Sequence, residues 1–168
     1  QCVNSFGMKR EREVKNMARG NYRSDPSIDE KVLMAIVRVG EYFKRESSAI
    51  FRNYGLTFSQ YNVLRALYAS DNEQNSISTI SKIMLVSGAN MTGIAKRLEK
   101  NGFVIRRRDP QDERITLLEI TPKGIQTLKN IQEPKDHFID EILSDFTDED
   151  RRLFLSKTGQ ILKRDGIP

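Results

Sequence analysis

Apolar side chains recur at helical spacing through most of this chain and collect into short runs in one region only. From Ile28 onward, Ile28, Val32, Ile36, Val39, Phe43 and Ile50 step by three, four or seven positions, the period of one helix face. Leu33, Met34, Val37 and Tyr42 widen that face. A helix this broadly apolar has two sides to bury, and in so short a chain a partner subunit is the expected cover. Asp25 or Ser27 can cap its start, and Gly55 stops it. Thr57-Phe-Ser-Gln60 has the form of a capping box and opens a second helix carrying Tyr61, Leu64, Leu67 and Tyr68. Asp71–Asn75 reads as a polar loop.

Two short helical segments follow, Ser78–Met84 and Ser87–Asn101, separated only by Leu85-Val86. Ile80, Ile83 and Met84 supply the apolar side of the first; Met91, Ile94, Ala95 and Leu98 that of the second. Ser87 is a good cap and Asn101-Gly102 a good stop, so the pair is a helix-turn-helix candidate. Phe103–Arg108 then predicts a strand, Asp109-Pro-Gln-Asp112 a turn, and Ile115–Ile120 a returning strand. Thr121-Pro122 opens another helix, with Ile125, Leu128, Ile131, Phe138, Ile142, Leu143 and Phe146 on its apolar side. Pro134 is expected to kink or split it. Thr147-Asp-Glu-Asp150 caps a last helix bearing Leu153, Phe154, Ile161 and Leu162. The pattern predicts a mainly α fold with a small β-hairpin wing, a winged helix-turn-helix flanked by long helices.

Composition narrows the field without naming a function. The 168 residues are 38% hydrophobic and 30% charged, suited to a packed core under a soluble surface. No apolar run reaches the roughly 18 residues of a membrane span, and no secretion signal opens the chain; a soluble cytoplasmic protein without a membrane partner is expected. The net charge is +5, which makes nucleic acid a candidate partner. Arg106, Arg107, Arg108 and Arg114 cluster, whereas the stretch from Glu133 to Asp150 is acidic. Residues 1–26 form a polar, basic arm, expected to be disordered or partly helical; Met8 is a candidate start, with Gln1–Gly7 an upstream extension. Cys2 is the only cysteine and His137 the only histidine. One chain therefore holds no internal disulfide and no cysteine- or histidine-built metal centre. There is no glycine-rich phosphate loop or nucleophile elbow, so neither an enzyme nor a cofactor is expected.

Candidate chemistry sits on the second short helix and the hairpin. Removing the apolar positions of Ser87–Asn101 leaves Ala89, Asn90, Gly93, Lys96, Arg97 and Lys100 outward. Asn pairs bidentately with adenine, Lys meets guanine or phosphate, and small residues permit close approach to base edges. Ser78, Thr79 and Ser87 lie near helix starts, where hydroxyls and open amides bind phosphate. Arg114 follows a turn, and Asp112 is placed to hold its guanidinium. An arginine at a loop tip suits a narrow minor groove, with Arg106, Arg107 and Arg108 on flanking phosphates. Each feature alone is compatible with ordinary solvated surface; their order is what points to DNA.

Three segments carry a family resemblance: Leu56-Thr-Phe-Ser-Gln60-Tyr-Asn-Val-Leu64, Met91-Thr-Gly-Ile-Ala-Lys-Arg97-Leu-Glu-Lys-Asn-Gly102-Phe-Val104, and Asp112-Glu-Arg114-Ile-Thr-Leu-Leu-Glu-Ile-Thr121-Pro-Lys-Gly124. Together they resemble the MarR family of bacterial and archaeal regulators, over about Ile28 to Leu162. The resemblance implies a homodimeric, sequence-specific DNA-binding repressor on double-stranded DNA with a near-palindromic operator. It implies a recognition helix acting through Ser87, Ala89, Asn90, Thr92, Gly93, Lys96 and Arg97, and Arg114 oriented by Asp112. It divides the chain into the arm, a dimerising region of residues 27–55 and 122–165, and a DNA-binding region of residues 56–121. It also implies release by a small aromatic or phenolic effector; Tyr42, Phe43 and Tyr61 are the candidate pocket, or else plain core. Thiol-sensing relatives carry a cysteine near the start of the first helix and zinc-sensing ones clustered histidines. This chain has neither. The alternative function is a winged-helix module that binds protein, since fold alone does not settle activity.

Overall fold

The computed structural model describes residues 26–164. Cys2, Asp25 and, apart from Pro26, the expected basic arm lie outside them. The chain divides into two compact units between Tyr42 and Phe43, a boundary inside the first described helix, α1 (Ile28–Arg52).

In the first unit, the described residues are the N-terminal part of α1. Ser27 caps it: its hydroxyl accepts the Glu30 amide at 3.2 Å and its own amide donates to Glu30 Oε2 at 2.8 Å. This reciprocal pair satisfies two donors that a bare helix start leaves open. Ile28, Val32, Leu33, Val37 and Val39 are exposed. Apolar positions expected from the pattern are thus exposed among the described residues.

The second unit holds the remaining elements. α2 (Phe58–Tyr68) begins at the Thr57–Gln60 capping box, with both reciprocal bonds formed. α3 (Ile77–Ile83) and α4 (Gly88–Lys100) follow, then the strands β2 (Val104–Arg108) and β3 (Thr116–Ile120). Between α2 and α3, residues Gln74–Ser76 form β1. The described strands make one antiparallel sheet in the order β1-β3-β2. Val104 pairs with Ile120 and Arg108 with Thr116 on one side of β3, while Asn75 pairs with Leu118 on the other. The stretch expected as a polar loop is thus partly a strand. Its three polar residues give no hydrophobic alternation; they are held by the open backbone edge of β3.

The core lies where these elements meet. Val63, Leu64 and Leu67 from α2, Ile80 from α3, and Met91, Ala95 and Leu98 from α4 are buried against Phe103, Val104, Leu118 and Ile120. Ile83 does not join them. It is exposed, and Ser81 is buried instead, its hydroxyl donating to the Val86 carbonyl at 2.6 Å.

α5 (Pro122–Ile142) is capped by the Thr121 hydroxyl, which accepts the Gly124 amide at 3.1 Å. It continues through Pro134 as one helix, so of the kink or split expected there the split does not occur. Proline removes only the bond to the residue four earlier, here Asn130. Asn130 is exposed, so its carbonyl has water within reach, while buried Ile131 and half-buried Ile125 and Leu128 hold the helix on the core. α6 (Asp148–Arg164) starts at Thr147, whose hydroxyl accepts the Asp150 amide at 3.2 Å. It leaves Leu153, Phe154, Leu155, Ile161 and Leu162 exposed.

Gly124 marks the tightest approach. A Cβ at this position would lie 2.6 Å from the Phe103 carbonyl oxygen and 2.6 Å from Ile120 Cγ1. Gly124→Ala gains about 1 kcal/mol in helix propensity but forces a methyl group against backbone that cannot yield. Overpacking of this kind costs roughly 1–3 kcal/mol. We expect a net destabilisation, read as a lower midpoint in chemical denaturation; an unchanged or higher midpoint would contradict the packing.

The Thr147 hydroxyl and then its amide donate to Asp150 and hold that carboxyl below the usual carboxylate range. A carboxyl depressed on folding stabilises above its unfolded value, and the contribution is lost as pH falls through the folded value. An NMR titration of Asp150 should therefore give a midpoint below that of an ordinary aspartate. Thr147→Val should raise it part of the way back.

Candidate nucleic-acid interface

α4 buries Met91, Ile94, Ala95 and Leu98 and turns its other side outward. Ser87, Ala89, Asn90, Lys96, Arg97 and Lys100 are exposed, and Thr92 and Gly93 are half-buried. The Ser87 hydroxyl accepts the Asn90 amide at 3.4 Å and so serves as the helix cap. The Thr92 hydroxyl is turned back onto the Gly88 carbonyl at 2.9 Å. Arg97 lies along the helix over Gly93, where a Cβ would sit 3.8 Å from its guanidinium. The outer face is therefore small and polar toward the N-terminus and cationic toward the C-terminus. That grading permits close approach by the helix start and charge pairing farther along.

At the start of α3, Ser76 rather than Ser78 is the cap: its hydroxyl accepts the Thr79 amide at 3.0 Å. Its oxygen also lies 2.9 Å from both the Ser78 and Thr79 hydroxyls. Ser78 and Thr79 thus present an exposed hydroxyl cluster, but the Thr79 amide is already used. The signal was available in the sequence, since Ser76 stands three residues before Thr79 just as Ser87 stands three before Asn90.

The wing sorts its arginines. Arg106 pairs with Glu99 at 3.5 Å, Arg107 with Glu119 at 3.0 Å, and Arg108 donates to the Glu113 carbonyl at 2.8 Å. Asp112 does not hold the Arg114 guanidinium as the spacing suggested. Its Oδ1 accepts the Arg114 backbone amide at 3.0 Å, so the carboxylate shapes the turn instead. An aspartate readily bonds the amide two residues on, and that local bond competes with the longer reach to a side chain. Among the described residues, the Arg114 guanidinium has no hydrogen bond or ion pair, and it is exposed.

The turn from α3 to α4 has a feature the sequence pattern did not reveal. Three helices close with the same pair of bonds, five-residue and three-residue returns onto the last turn. At the first, Leu56 donates to the Phe51 carbonyl and Gly55 to that of Arg52; at the second, Phe103 to Leu98 and Gly102 to Glu99. Gly55 and Gly102 take positive φ there, 73° and 75°. At the third, Val86 donates to Ser81 and Leu85 to Lys82, and the positive φ of 52° falls on Leu85. A residue with a Cβ costs roughly 1–2 kcal/mol in that conformation.

Of the expected pocket residues, Phe43 and Tyr61 belong to one run of ring contacts through Phe58 and Phe51. Tyr61 is buried, stacked on Phe51 with ring centroids 3.9 Å apart. Phe43 packs on Phe138 at 6.0 Å and edge-on to Phe58 at 6.2 Å. Tyr42 is partly exposed. An open cleft of about 600 Å³ lies elsewhere, between Ser70–Asp71 and the wing base at Asp109 and Ile115. His137 is exposed, 3.8 Å from Glu141.

A model of the MarR family matches residues 56–116, from the approach to α2 to the start of β3. The uncharacterised HTH-type transcriptional regulator YdgJ of Bacillus subtilis is 35% identical over 101 residues, 60% of this chain and 60% of its own length. The HTH-type transcriptional regulator TtmR of Methylorubrum extorquens is 32% identical over 125 residues, 71% of this chain and 63% of its own. The chain thus spans less than two thirds of the length of either relative. Among solved structures, the transcriptional regulator BldR from Sulfolobus solfataricus superposes with a TM-score of 0.71 at 28% identity, covering 83% of this chain and 99% of its own. Residues 56–116 thus resemble the MarR family, and the helices and three-stranded sheet have a winged helix-turn-helix fold.

Proposed function

We propose that this chain is a sequence-specific DNA-binding transcription regulator that works as a homodimer and represses by occupying a near-palindromic operator. The observation that carries this reading is the outer face of α4, small and polar at its start, combined with an uncommitted Arg114 on the wing. A protein-binding surface would more often present aromatic side chains there. In this reading Ser87, Ala89, Asn90, Thr92, Gly93, Lys96 and Arg97 face the major groove, with Ser78 and Thr79 on phosphate. Arg114 enters the minor groove. Arg106, Arg107 and Arg108, each already held by a neighbour, line the flanking backbone.

Residues 27–55 and 122–165 form the dimerising region and residues 56–121 the DNA-binding region. Support for the dimer comes from the apolar positions left exposed on the N-terminal part of α1 and, separately, on α6. Two copies would place their recognition helices about 34 Å apart, one turn of the duplex. Among the described residues no helix is long and apolar enough to cross a membrane, and the proposed setting is the cytoplasm.

Selection of genomic fragments at two salt concentrations tests this directly. A near-palindromic motif should emerge, bound by two chains per duplex, with affinity falling steeply as salt rises. Arg114→Ala should weaken binding about tenfold or more and lower the salt slope by about one. Sequence-independent binding, or an Arg114→Ala variant indistinguishable from wild type, would refute the assignment.

The proposal includes release by a small aromatic ligand. Its support is the set of ring contacts joining Phe43, Phe51, Phe58, Tyr61 and Phe138, where an incoming ring can exchange one aromatic contact for another. A panel of aromatic carboxylic acids and phenols should contain a compound that raises the melting temperature and loosens the operator complex. If no compound moves either quantity, the effector part of the proposal fails.

A further inference from the structure

Leu85 is held in a conformation that favours glycine, and it gains no burial in return. Its φ is 52° and its side chain is 63% exposed. The two turns built on the same bond pattern use Gly55 and Gly102, so glycine is compatible with this closure. The turn itself is firmly built. Val86 donates to the Ser81 carbonyl at 3.1 Å, Leu85 to that of Lys82 at 3.2 Å, and the Ser81 hydroxyl to that of Val86 at 2.6 Å. Val86 packs against the core beside this closure. The leucine is thus fixed in place two residues before the Ser87 cap, at the head of the helix whose exposed start carries Ala89 and Asn90. Strain that persists where packing does not require it points to a use for the side chain.

We propose that Leu85 is a specificity-determining residue that contacts the 5-methyl group of a thymine at the edge of the operator half-site. The proposal rests on the DNA-binding reading above. A major groove presents many hydrogen-bonding edges, and its apolar feature is the thymine methyl. Leu85 has no hydrogen-bonding side chain and no charge. It therefore adds discrimination between bases without adding to the phosphate attraction supplied by Lys82, Lys96 and Arg97, which are exposed on the same helix-turn-helix.

The test uses the full chain and the site recovered by fragment selection, remade with deoxyuridine replacing each thymine in turn. That change deletes only the methyl group. Wild type should lose about fourfold in affinity at one symmetry-related thymine pair, the factor expected for one buried methyl. Leu85→Asn tolerates the same backbone, and it should bind the thymine and deoxyuridine duplexes equally. Leu85→Gly should do the same while melting a few degrees higher. Both variants should keep the wild-type salt slope, because no charge is removed. The proposal is overturned if no thymine position is sensitive in wild type, if the variants bind as tightly as wild type, or if they weaken equally on both duplexes. A wild type that selects no motif at all is a different result, which overturns the DNA-binding reading itself.

Discussion

The close contact between Gly124 and the strand that follows α4 is the constraint on which the arrangement of the wing depends. With no side chain at that position, the start of α5 settles against the Phe103 carbonyl and Ile120. Thr121 completes the junction: its hydroxyl donates to the Gly102 carbonyl at 2.8 Å, and its amide to that of Phe103 at 3.0 Å. Lys123 adds a bond to the Asn101 carbonyl at 2.7 Å and lies 4.8 Å over the Phe103 ring. The exit of α4, the roots of both wing strands and the start of α5 are thereby tied within a few residues. Rotation of the wing relative to α4 would break these contacts together, so the two candidate DNA-contacting elements are held as a preformed pair.

Around that junction, charge is distributed unevenly by neighbouring partners. Glu99 and Glu119 take Arg106 and Arg107, and a backbone carbonyl takes Arg108. These pairs sit at or near the surface, where an ion pair contributes about 0–1 kcal/mol. Their larger effect is on position, since a paired arginine has fewer directions open to it. Arg114, whose amide rather than guanidinium is held by Asp112, retains its reach. The wing therefore combines a turn held by Asp112 with a cationic side chain that has no partner among the described residues, a property suited to a narrow groove.

Elsewhere the structure departs from local rules where tertiary contacts outweigh them. Pro134 sits inside α5 because one lost backbone bond is small beside the burial of Ile131 and the packing of Ile125 and Leu128. Ser81 replaces Ile83 on the inner side of α3 because its hydroxyl closes the turn into α4. Leu85 takes the left-handed position where two comparable turns use glycine. In the first two cases burial or a hydrogen bond of the residue's own side chain or its neighbours compensates; at Leu85 the backbone bonds of the turn hold the conformation while the side chain stays exposed.

Much of the fold was legible in the sequence because its signals are local. Helix starts at Ser27, Thr57, Ser87, Thr121 and Thr147 follow from side chains that bond amides three residues on. Gly55 and Gly102 mark stops for the equally local reason of positive φ. The outward set on α4 follows from its period, and residues 56–64, 91–104 and 112–124 carry the family resemblance. What the sequence left open involved partners distant along the chain. β1 has no pattern of its own and exists because β3 offers it an edge. Whether Asp112 binds the Arg114 side chain or its amide, and which wing arginines meet Glu99 and Glu119, depends on where the folded backbone carries each group. Spacing alone fixes which residues can meet; the geometry of the assembled sheet and helices decides which of them do.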